Sequence, residues 1–267
     1  MVRDMAYSPF MPPLRHFRHP ISPIERAARK LYSGALQRLG FVPHVMRAQG
    51  ARFLVDTSDF IDECIAYNGI WEETQLEDLA ELASRRRIDL FLDIGANAGF
   101  YSVMFAIKRL AGQTIAFEPD PGNFARLTAN LDLNNLAGQV EAVPLALGDR
   151  ASEVTLYEGA KWNRGESTIA VPEQTPQQVT FMVRQVRFDD EYSIAGKNII
   201  VKIDVEGYEF HTLAGLERTM RENECYLQIE LYSDRFDELK AYLAGFGYRF
   251  LHTHYIDHFF TNMTGIE

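Results

Sequence analysis

Short apolar stretches alternate with amphipathic ones along most of this chain. Short apolar runs predict buried strands. This chain has five of them, at 90–94, 114–117, 140–147, 198–203 and 225–229. Apolar residues at helical spacing predict helices after four of these strands, at 100–110, 121–133, 208–220 and 234–244. The stretches at 153–157 and 179–186 are expected to form an inserted hairpin or edge strands. A second hairpin, at 248–253 and 258–261, could close the chain. This order predicts an α/β fold, with a mostly parallel sheet that helices cover on both faces.

The N-terminal region has a different pattern. Residues 1–20 are rich in Pro, His and Arg and predict an irregular arm. A helix over 22–39 is expected, with Ser22 as N-cap, Pro23 in the first turn and Glu25 completing a capping box. A further amphipathic helix is expected over 76–87. We therefore divide the chain into an arm and basic helix, 1–48, and one catalytic-type domain, 49–267.

Three interpretations of the basic helix at 22–39 remain open. It could bury its apolar stripe on the domain, or lie on an anionic membrane surface that presents a glycolipid. It could also form a dimer contact or a lid over the site. The oligomeric state therefore stays open.

Charge and cysteine usage narrow the class of protein. The net charge of −10 divides into +6 for residues 1–50 and −16 for the remainder, and an acidic body disfavours nucleic acid as a partner. No apolar run has the length of a membrane span, and arginines interrupt any signal-peptide pattern. Two distant cysteines suggest free thiols in a reducing compartment. We expect a cytoplasmic protein, with peripheral contact to the inner membrane surface through residues 22–39 as an alternative.

A glycine-containing turn follows the first strand of the alternating region. Gly95 and Gly99, with Ala96 between them, precede a helix. A glycine there lets the backbone approach a ligand closely, and the free N–H groups at the start of the helix favour a negatively charged group of that ligand. Asn97 stands where a dinucleotide-binding turn has a glycine that makes room for pyrophosphate. Asp93, just before the turn, could hold the ammonium of an amino-acid tail. The alternative is a turn that only packs helix against strand.

An acidic residue ends the second strand. Glu118, followed by Pro119, could accept hydrogen bonds from the two hydroxyls of a ribose. A ribose and an amino-acid tail without pyrophosphate indicate S-adenosylmethionine as cofactor. Asp149, after the third strand, could accept the adenine amino group or form a plain turn.

A charged set follows the fourth strand of the alternating region. Lys202, Asp204 and Glu206 alternate with apolar residues, so a strand would place all three on one face. A buried lysine needs a carboxylate, and Asp93 or Glu230 is expected to supply it. Asp204, Glu206 and Glu230 could take a proton from an acceptor hydroxyl or hold magnesium or calcium. A metal-free base is favoured, and a structural ion pair is the alternative.

Other polar residues are weaker candidates. Glu72, beside Trp71, could face the acceptor or simply begin a helix. His211 is more typical of a packing or surface residue. His252 and His254 share a strand face, but the sequence offers no clear third ligand, so no metal site is expected there.

Three motifs together resemble the FkbM family of S-adenosylmethionine-dependent methyltransferases. They are Asp-Ile-Gly-Ala-Asn-Ala-Gly-Phe-Tyr-Ser at 93–102, Phe-Glu-Pro-Asp at 117–120 and Val-Lys-Ile-Asp-Val-Glu-Gly-Tyr-Glu at 201–209. The resemblance covers roughly residues 50–260, including Gly-Ile-Trp-Glu at 69–72. It implies the Rossmann-like class I methyltransferase fold with a seven-stranded sheet, and O-methylation of a sugar or polyketide-like product. The rival hypotheses are a nicotinamide-dependent oxidoreductase and a cofactor-binding protein without catalysis.

Overall fold

A computed structural model describes residues 22–159, 162, 164–169, 179–231 and 234–266, so the predicted arm at 1–20 lies outside the described residues. The helices are α1 (Pro23–Arg38), α2 (Phe60–Asn68), α3 (Glu73–Arg85), α4 (Phe100–Lys108), α5 (Pro121–Leu133), α6 (Phe188–Glu191), α7 (Glu209–Gly215), α8 (Glu217–Glu222) and α9 (Phe236–Ala244). The strands are β1 (His44–Ala48), β2 (Ala51–Val55), β3 (Leu90–Ile94), β4 (Gln113–Phe117), β5 (Val140–Val143), β6 (Ala146–Leu147), β7 (Ser152–Tyr157), β8 (Thr180–Val186), β9 (Asn198–Ile203), β10 (Glu224–Glu230), β11 (Arg249–His254) and β12 (Asp257–Thr261).

Seven strands form the central sheet, in the order β11-β12-β10-β9-β3-β4-β5. The five strands from β10 to β5 run parallel, while β12 is antiparallel to both of its neighbours. The strand order reverses between β3 and β9, which is where α/β sheets bind ligands. The predicted seven-stranded, mostly parallel sheet of class I methyltransferase type is confirmed.

Both faces of this sheet are buried, as its apolar runs predicted. Phe91 of β3 packs into one core with α4, where its ring stacks on Phe105. Leu92 and Ile94 of the same strand face a second core beneath α7 and α9, which contribute Leu213 and Leu239. Alternate residues of a strand therefore hold helices on opposite faces.

Two predicted elements are divided in the structure. The strand expected over 140–147 splits at Pro144, because proline has no N–H for the sheet ladder. Its second half, β6, is not part of the main sheet and pairs instead with β8. These two strands and β7 form a small sheet of order β6-β8-β7. The antiparallel pair β7–β8 is the predicted inserted hairpin. The helix expected over 208–220 is interrupted after Gly215, which packs against the carbonyl of Gly148.

The sequence patterns did not predict the hairpin β1–β2 or the helix α2. The hairpin turns at Gln49 and Gly50, both at positive φ. Its two strands carry small buried alanines, Ala48 and Ala51, next to the turn. The expected boundary between residues 48 and 49 falls in this turn, and the division into two parts stays a prediction.

The helix α1 packs differently from the expectation that it would bury its apolar stripe. Ser22 caps it as predicted, accepting a hydrogen bond from the Glu25 backbone N–H. Ile24 and Leu31, however, are largely exposed, whereas Arg29 is buried. Arg29 Nε donates to the Ala66 carbonyl at 2.7 Å, in the last turn of α2, where helix carbonyls need donors and favour a positive charge. Of the three interpretations of this helix, burial of its apolar stripe on the domain is therefore contradicted. Among the described residues, none of the helices combines the length and the apolar character of a membrane span.

Candidate functional site

A cavity of about 620 Å³ opens at the carboxyl ends of β4, β9 and β10 and beside the turn after β3. Seven of the described residues that line it are acidic, and none is Lys or Arg. The acidic residues are Glu72, Glu73, Glu118, Asp204, Glu206, Glu230 and Asp257. The predicted residues Gly95, Asn97 and Pro119 line it as well. Five of the carboxylates that the sequence pointed to therefore line a single cavity, which lies where the strand order reverses.

Glu118 lies at the cofactor edge of the cavity. Its Oε2 accepts a hydrogen bond from Asn97 N at 2.7 Å, and its Oε1 accepts one from Asp120 N at 2.8 Å. Burial raises the pKa of Glu118 to about 8, although these two backbone donors work against the rise. The backbone therefore holds the carboxylate in a fixed orientation at the wall of the cavity.

The two glycines of the turn have packing roles. A Cβ on Gly95 would come within 1.7 Å of the Asp204 carbonyl oxygen, and a Cβ on Gly99 would come within 2.3 Å of Leu127 Cδ1. Both residues have φ of +81°, a conformation that favours glycine. The close approach at Gly95 is thus to the chain itself, and its predicted contact with a ligand stays a prediction, although Gly95 lines the cavity. Ala96 is buried, and its N–H donates to the Phe117 carbonyl.

Asp93 lies beneath the turn and is not among the residues that line the large cavity. Its Oδ2 accepts hydrogen bonds from the Ser102 hydroxyl at 2.6 Å and from Ser102 N at 3.1 Å. Burial raises its pKa, against the opposing effect of Lys202. Asp93 borders a smaller space of about 30 Å³ together with Asn97 and Asp204. Its role toward an ammonium group stays a prediction.

Lys202 pairs with a different carboxylate from those expected. Its Nζ lies 2.7 Å from Asp204 Oδ2, and β9 ends at Ile203, so Asp204 and Glu206 are not part of the strand. The predicted alternation on one strand face was therefore wrong beyond Ile203. Burial alone lowers the pKa of Lys202, but four surrounding carboxylates, with Asp204 foremost, hold this pKa well above its ordinary value. The lysine is a buried cation inside an acidic cluster.

Polar side chains from several elements support this cluster. Tyr101 of α4 donates its hydroxyl proton to Glu72 Oε2 at 2.7 Å. Gln75 and Gln228 donate to the two carboxylate oxygens of Asp257, at 2.9 and 2.8 Å. The sequence patterns did not predict these contacts of Tyr101, Gln75, Gln228 and Asp257. Gln228 gave a usable signal, because it is a polar residue inside an apolar strand.

Two further carboxyls of the cavity, besides Glu118, have strongly raised pKa values. Burial raises the pKa of Glu72 to about 7, with Lys202 opposing the rise. Burial also raises the pKa of Glu206 to about 8, and Asp204 adds to this effect. Carboxyls whose pKa lies near 7 can exchange protons efficiently at neutral pH.

Backbone strain is concentrated around the same cavity. Seven described residues other than glycine have positive φ, and four of them line the cavity: Glu72, Asn97, Glu206 and Tyr255. Such conformations are costly for residues with a Cβ and cluster at functional sites. Three of these four residues belong to the stretches that carry the family resemblance, so backbone strain and sequence motifs mark the same place.

Two overlapping carboxylate groups could hold a hard cation. They are Glu72, Glu230 and Asp257, and Asp204, Glu206 and Glu230, each with ligand oxygens within 4.8 Å of one another. Oxygen ligands of this kind suit magnesium or calcium. The second group is the set that the sequence suggested.

The remaining candidates lie elsewhere. Asp149 is not among the lining residues, and its Oδ2 lies 3.2 Å from His211 Nδ1. Its predicted contact with adenine is untested. His252 and His254 do share a strand face, and the third ligand that the sequence lacked is Asp78 of α3. The expectation that no metal binds there rested on the lack of a third ligand, which the fold supplies in Asp78, and the expectation itself stays a prediction.

The known proteins to which this chain is similar in sequence are named as methyltransferases. A relative from Streptomyces tacrolimicus, 31-O-demethyl-FK506 methyltransferase FkbM, is 28% identical over 60% of this chain and 72% of its own length. Hexuronic acid methyltransferase AglP of Haloferax volcanii is 24% identical over 50% of this chain and 52% of its own. Methyltransferase 1 of Beauveria bassiana is 28% identical over 47% of this chain and 57% of its own. The chain thus spans little more than half the length of the latter two relatives.

A crystal structure of methyltransferase FkbM from Methylobacillus flagellatus KT aligns over 87% of this chain and 70% of that chain, with a TM-score of 0.46 and 16% identity. The family model for the methyltransferase FkbM domain matches residues 93–250, which hold all three sequence motifs and most of the central sheet. The chain belongs to the FkbM methyltransferase family.

Proposed function

We propose that this protein is an S-adenosylmethionine-dependent O-methyltransferase that acts on a hydroxyl of a saccharide, glycolipid or related secondary metabolite. The observation that carries the proposal is one cavity with two chemically different edges. Glu118 and the strained turn at Asn97 form one edge, and the acidic cluster around Lys202 forms the other. The volume of about 620 Å³ is in the range of small-molecule sites.

The first edge fits the cofactor. The carboxylate of Glu118 is oriented by two backbone donors and is suited to accept hydrogen bonds from the ribose hydroxyls. Asp93 and the 95–99 turn are assigned to the methionine part, and Asp149 to the adenine. Bound S-adenosylmethionine would supply an electrophilic methyl group on a sulfonium, whose positive charge suits an acidic cavity.

The second edge fits an alcohol. An attacking hydroxyl must lose its proton, and Glu206, with a pKa of about 8, is the assigned base. Asp204 is the alternative base, but one of its oxygens is already engaged by Lys202. Glu72 and Glu230 are assigned to orient the acceptor hydroxyls. Lys202 holds Asp204 in place and limits repulsion among the carboxylates.

Aromatic side chains at the cavity favour a sugar-like acceptor. Phe60, Trp71 and Tyr255 line the cavity, and Tyr255 is 91% exposed. Aromatic rings can pack against the C–H face of a pyranose while carboxylates bind its hydroxyls. The relatives named for hexuronic acid and FK506 are consistent with oxygen-rich acceptors.

Calorimetry with the full chain separates this function from that of a nicotinamide-dependent oxidoreductase. We expect S-adenosylhomocysteine to bind and NAD to give no heat, and we expect Glu118→Ala to weaken S-adenosylhomocysteine binding. Binding of NAD alone would favour the oxidoreductase. Unchanged affinity in Glu118→Ala would refute the ribose assignment.

A further inference from the structure

We propose that Asp78, His252 and His254 form a binding site for one divalent transition-metal ion, of which zinc is the preferred example. The site lies outside the methyl-transfer cavity, at the contact between α3 and the edge strand β11, and it is independent of the proposed function. Asp78 Oδ2 lies 2.7 Å from His252 Nε2 and 2.9 Å from His254 Nε2. The three ligand atoms fall within 4.8 Å of one another.

The distances are close to what a coordination sphere requires. With metal–ligand bonds of roughly 2.0–2.2 Å, neighbouring ligand atoms in a tetrahedral site lie roughly 3.3–3.6 Å apart. The two nitrogens therefore need to move away from the shared oxygen by about half an ångström to one ångström. Without a metal, the Nε2–H groups can donate to Asp78, and coordination requires the tautomer that carries the proton on Nδ1.

The local structure holds both imidazoles in orientation. Residues 252 and 254 point to the same side of β11, as alternate residues of a strand do. The His252 ring stacks on Phe259 at 4.5 Å between centroids, and the His254 ring meets Phe259 edge-on at 5.6 Å. All three ligand side chains are partly exposed, between 27% and 39%, so an ion can reach them.

The ligand types select the class of ion. Two imidazole nitrogens and one carboxylate suit zinc and other first-row transition metals, whereas magnesium and calcium prefer oxygen ligands throughout. Three protein ligands leave a coordination position open. Asp78 and His252 also line a second cavity, of about 670 Å³, from which water or a small ligand can reach that position.

Nearby positive charge does not oppose the ion strongly. Arg85 and Arg86 line the same second cavity, but each forms an ion pair, with Glu81 and Glu224 respectively. The net charge around the three ligands is therefore determined mainly by the carboxylate of Asp78.

A bound ion would fasten α3 to the β11–β12 hairpin at a second point. Gln75 lies one turn before Asp78 on α3 and donates to Asp257 in the methyl-transfer cavity. Glu72, at the start of α3, faces the same cavity. The ion would thus stabilise the wall of that cavity from outside.

The test is titration of the metal-free full chain with Zn²⁺ by calorimetry, and with Co²⁺ by visible absorption. The variants are Asp78→Asn and His252→Gln, with His258→Gln as the control because His258 bonds to Thr253 and is not in the cluster. His252→Gln keeps the bond between His254 and Asp78, so it removes a ligand while retaining one tie to α3. Other histidines of the chain contribute an equal background in every variant.

We expect one Zn²⁺ per chain above that background, and intense visible absorption from Co²⁺. Loss of an outer-shell partner alone costs roughly 10–100-fold in metal affinity, so loss of a ligand should weaken binding by at least roughly tenfold. His258→Gln should bind as the natural sequence does. Equal zinc binding by all four proteins, or no binding by any of them, would mean that the cluster is only a hydrogen-bonded tie between α3 and β11. If Asp78→Asn does not fold, His252→Gln and the Co²⁺ spectrum decide.

Discussion

At the scale of single residues, the cavity depends on carboxyls whose proton affinity is raised by burial. Glu118 and Glu206 both have a pKa of about 8, but their surroundings differ. Two backbone donors hold Glu118 at the turn. Glu206 lies next to Asp204 at a strained positive φ of 50°. In the proposed function, Glu118 therefore binds the cofactor ribose, whereas Glu206 takes the proton of the acceptor hydroxyl.

Cofactor binding should depend on pH through Glu118. If the ribose hydroxyls bind the ionised carboxylate, binding below about pH 8 releases a proton, and affinity falls as pH falls. We expect the dissociation constant for S-adenosylhomocysteine to rise by at most about tenfold per unit between about pH 8 and about pH 6. Glu118→Gln should bind more weakly and lose this dependence. Glu73→Gln, which also removes one carboxylate from the cavity wall, is the matched control, and equal loss in both variants would contradict the assignment.

Methyl transfer should depend on pH through Glu206. A base must be ionised, so kcat/KM should rise with pH and level off above about 8. Replacing Glu206 with Gln should lower kcat by about 10²–10⁴-fold, because general-base catalysis is worth that much. Affinity for S-adenosylhomocysteine should change little. A variant with normal kcat and an unchanged pH profile would show that another group takes the proton.

At the scale of elements, the turn after β3 is shaped by the neighbouring strand. The hydrogen of Gly95 faces the Asp204 carbonyl, where a Cβ would come within 1.7 Å. This contact fixes the ends of β3 and β9 against each other. It also places the residues of the turn beside Asp204 and Glu206.

Gly95→Ala should therefore be strongly destabilising. Overpacking typically costs 1–3 kcal/mol and the positive φ adds to this, so we expect a loss of about 2–4 kcal/mol in the free energy of unfolding. Chemical denaturation of the protein measures this loss. Gly138→Ala is the control, since a Cβ there meets nothing within 4 Å. Equal stability of the two variants would refute the close contact.

The elements that the sequence predicted best are those buried on both faces. Continuous apolar runs located β3 and β9 at their observed bounds, and apolar residues at helical spacing did the same for α5. The hairpin β1–β2 was missed, because buried alanines beside its turn give little hydrophobic signal. The motif residues of the site were predicted, whereas the contacts of Tyr101, Gln75 and Asp257 were not. Those contacts join distant parts of the chain, and spacing along one sequence does not encode them.

At the scale of the whole molecule, charge is distributed to suit the proposed chemistry. The acidic body surrounds a cavity whose described lining residues include no Lys or Arg. This cavity favours a cationic cofactor and a neutral, hydroxyl-rich acceptor, and it disfavours polyanions. The charge of the cavity is therefore consistent with methylation of a small molecule.

Methyl transfer should not require an added metal. Glu206 is assigned as a base that acts without one, although two carboxylate groups in the cavity could hold a hard cation. We expect full activity after treatment with a chelator and dialysis, measured as S-adenosylhomocysteine formed. Loss of activity that magnesium restores would instead assign the acceptor proton to a metal-bound hydroxyl. Restoration by zinc alone would point to the Asp78 site.

The most direct test of the account is mass spectrometry of neutral glycans and extracts after incubation with the protein and isotopically labelled S-adenosylmethionine. We predict that the label appears as an O-methyl ether on a hydroxyl, and that Glu206→Gln nearly abolishes it. The account is contradicted if S-adenosylhomocysteine binds but no acceptor is labelled, or if the label is found on nitrogen or carbon.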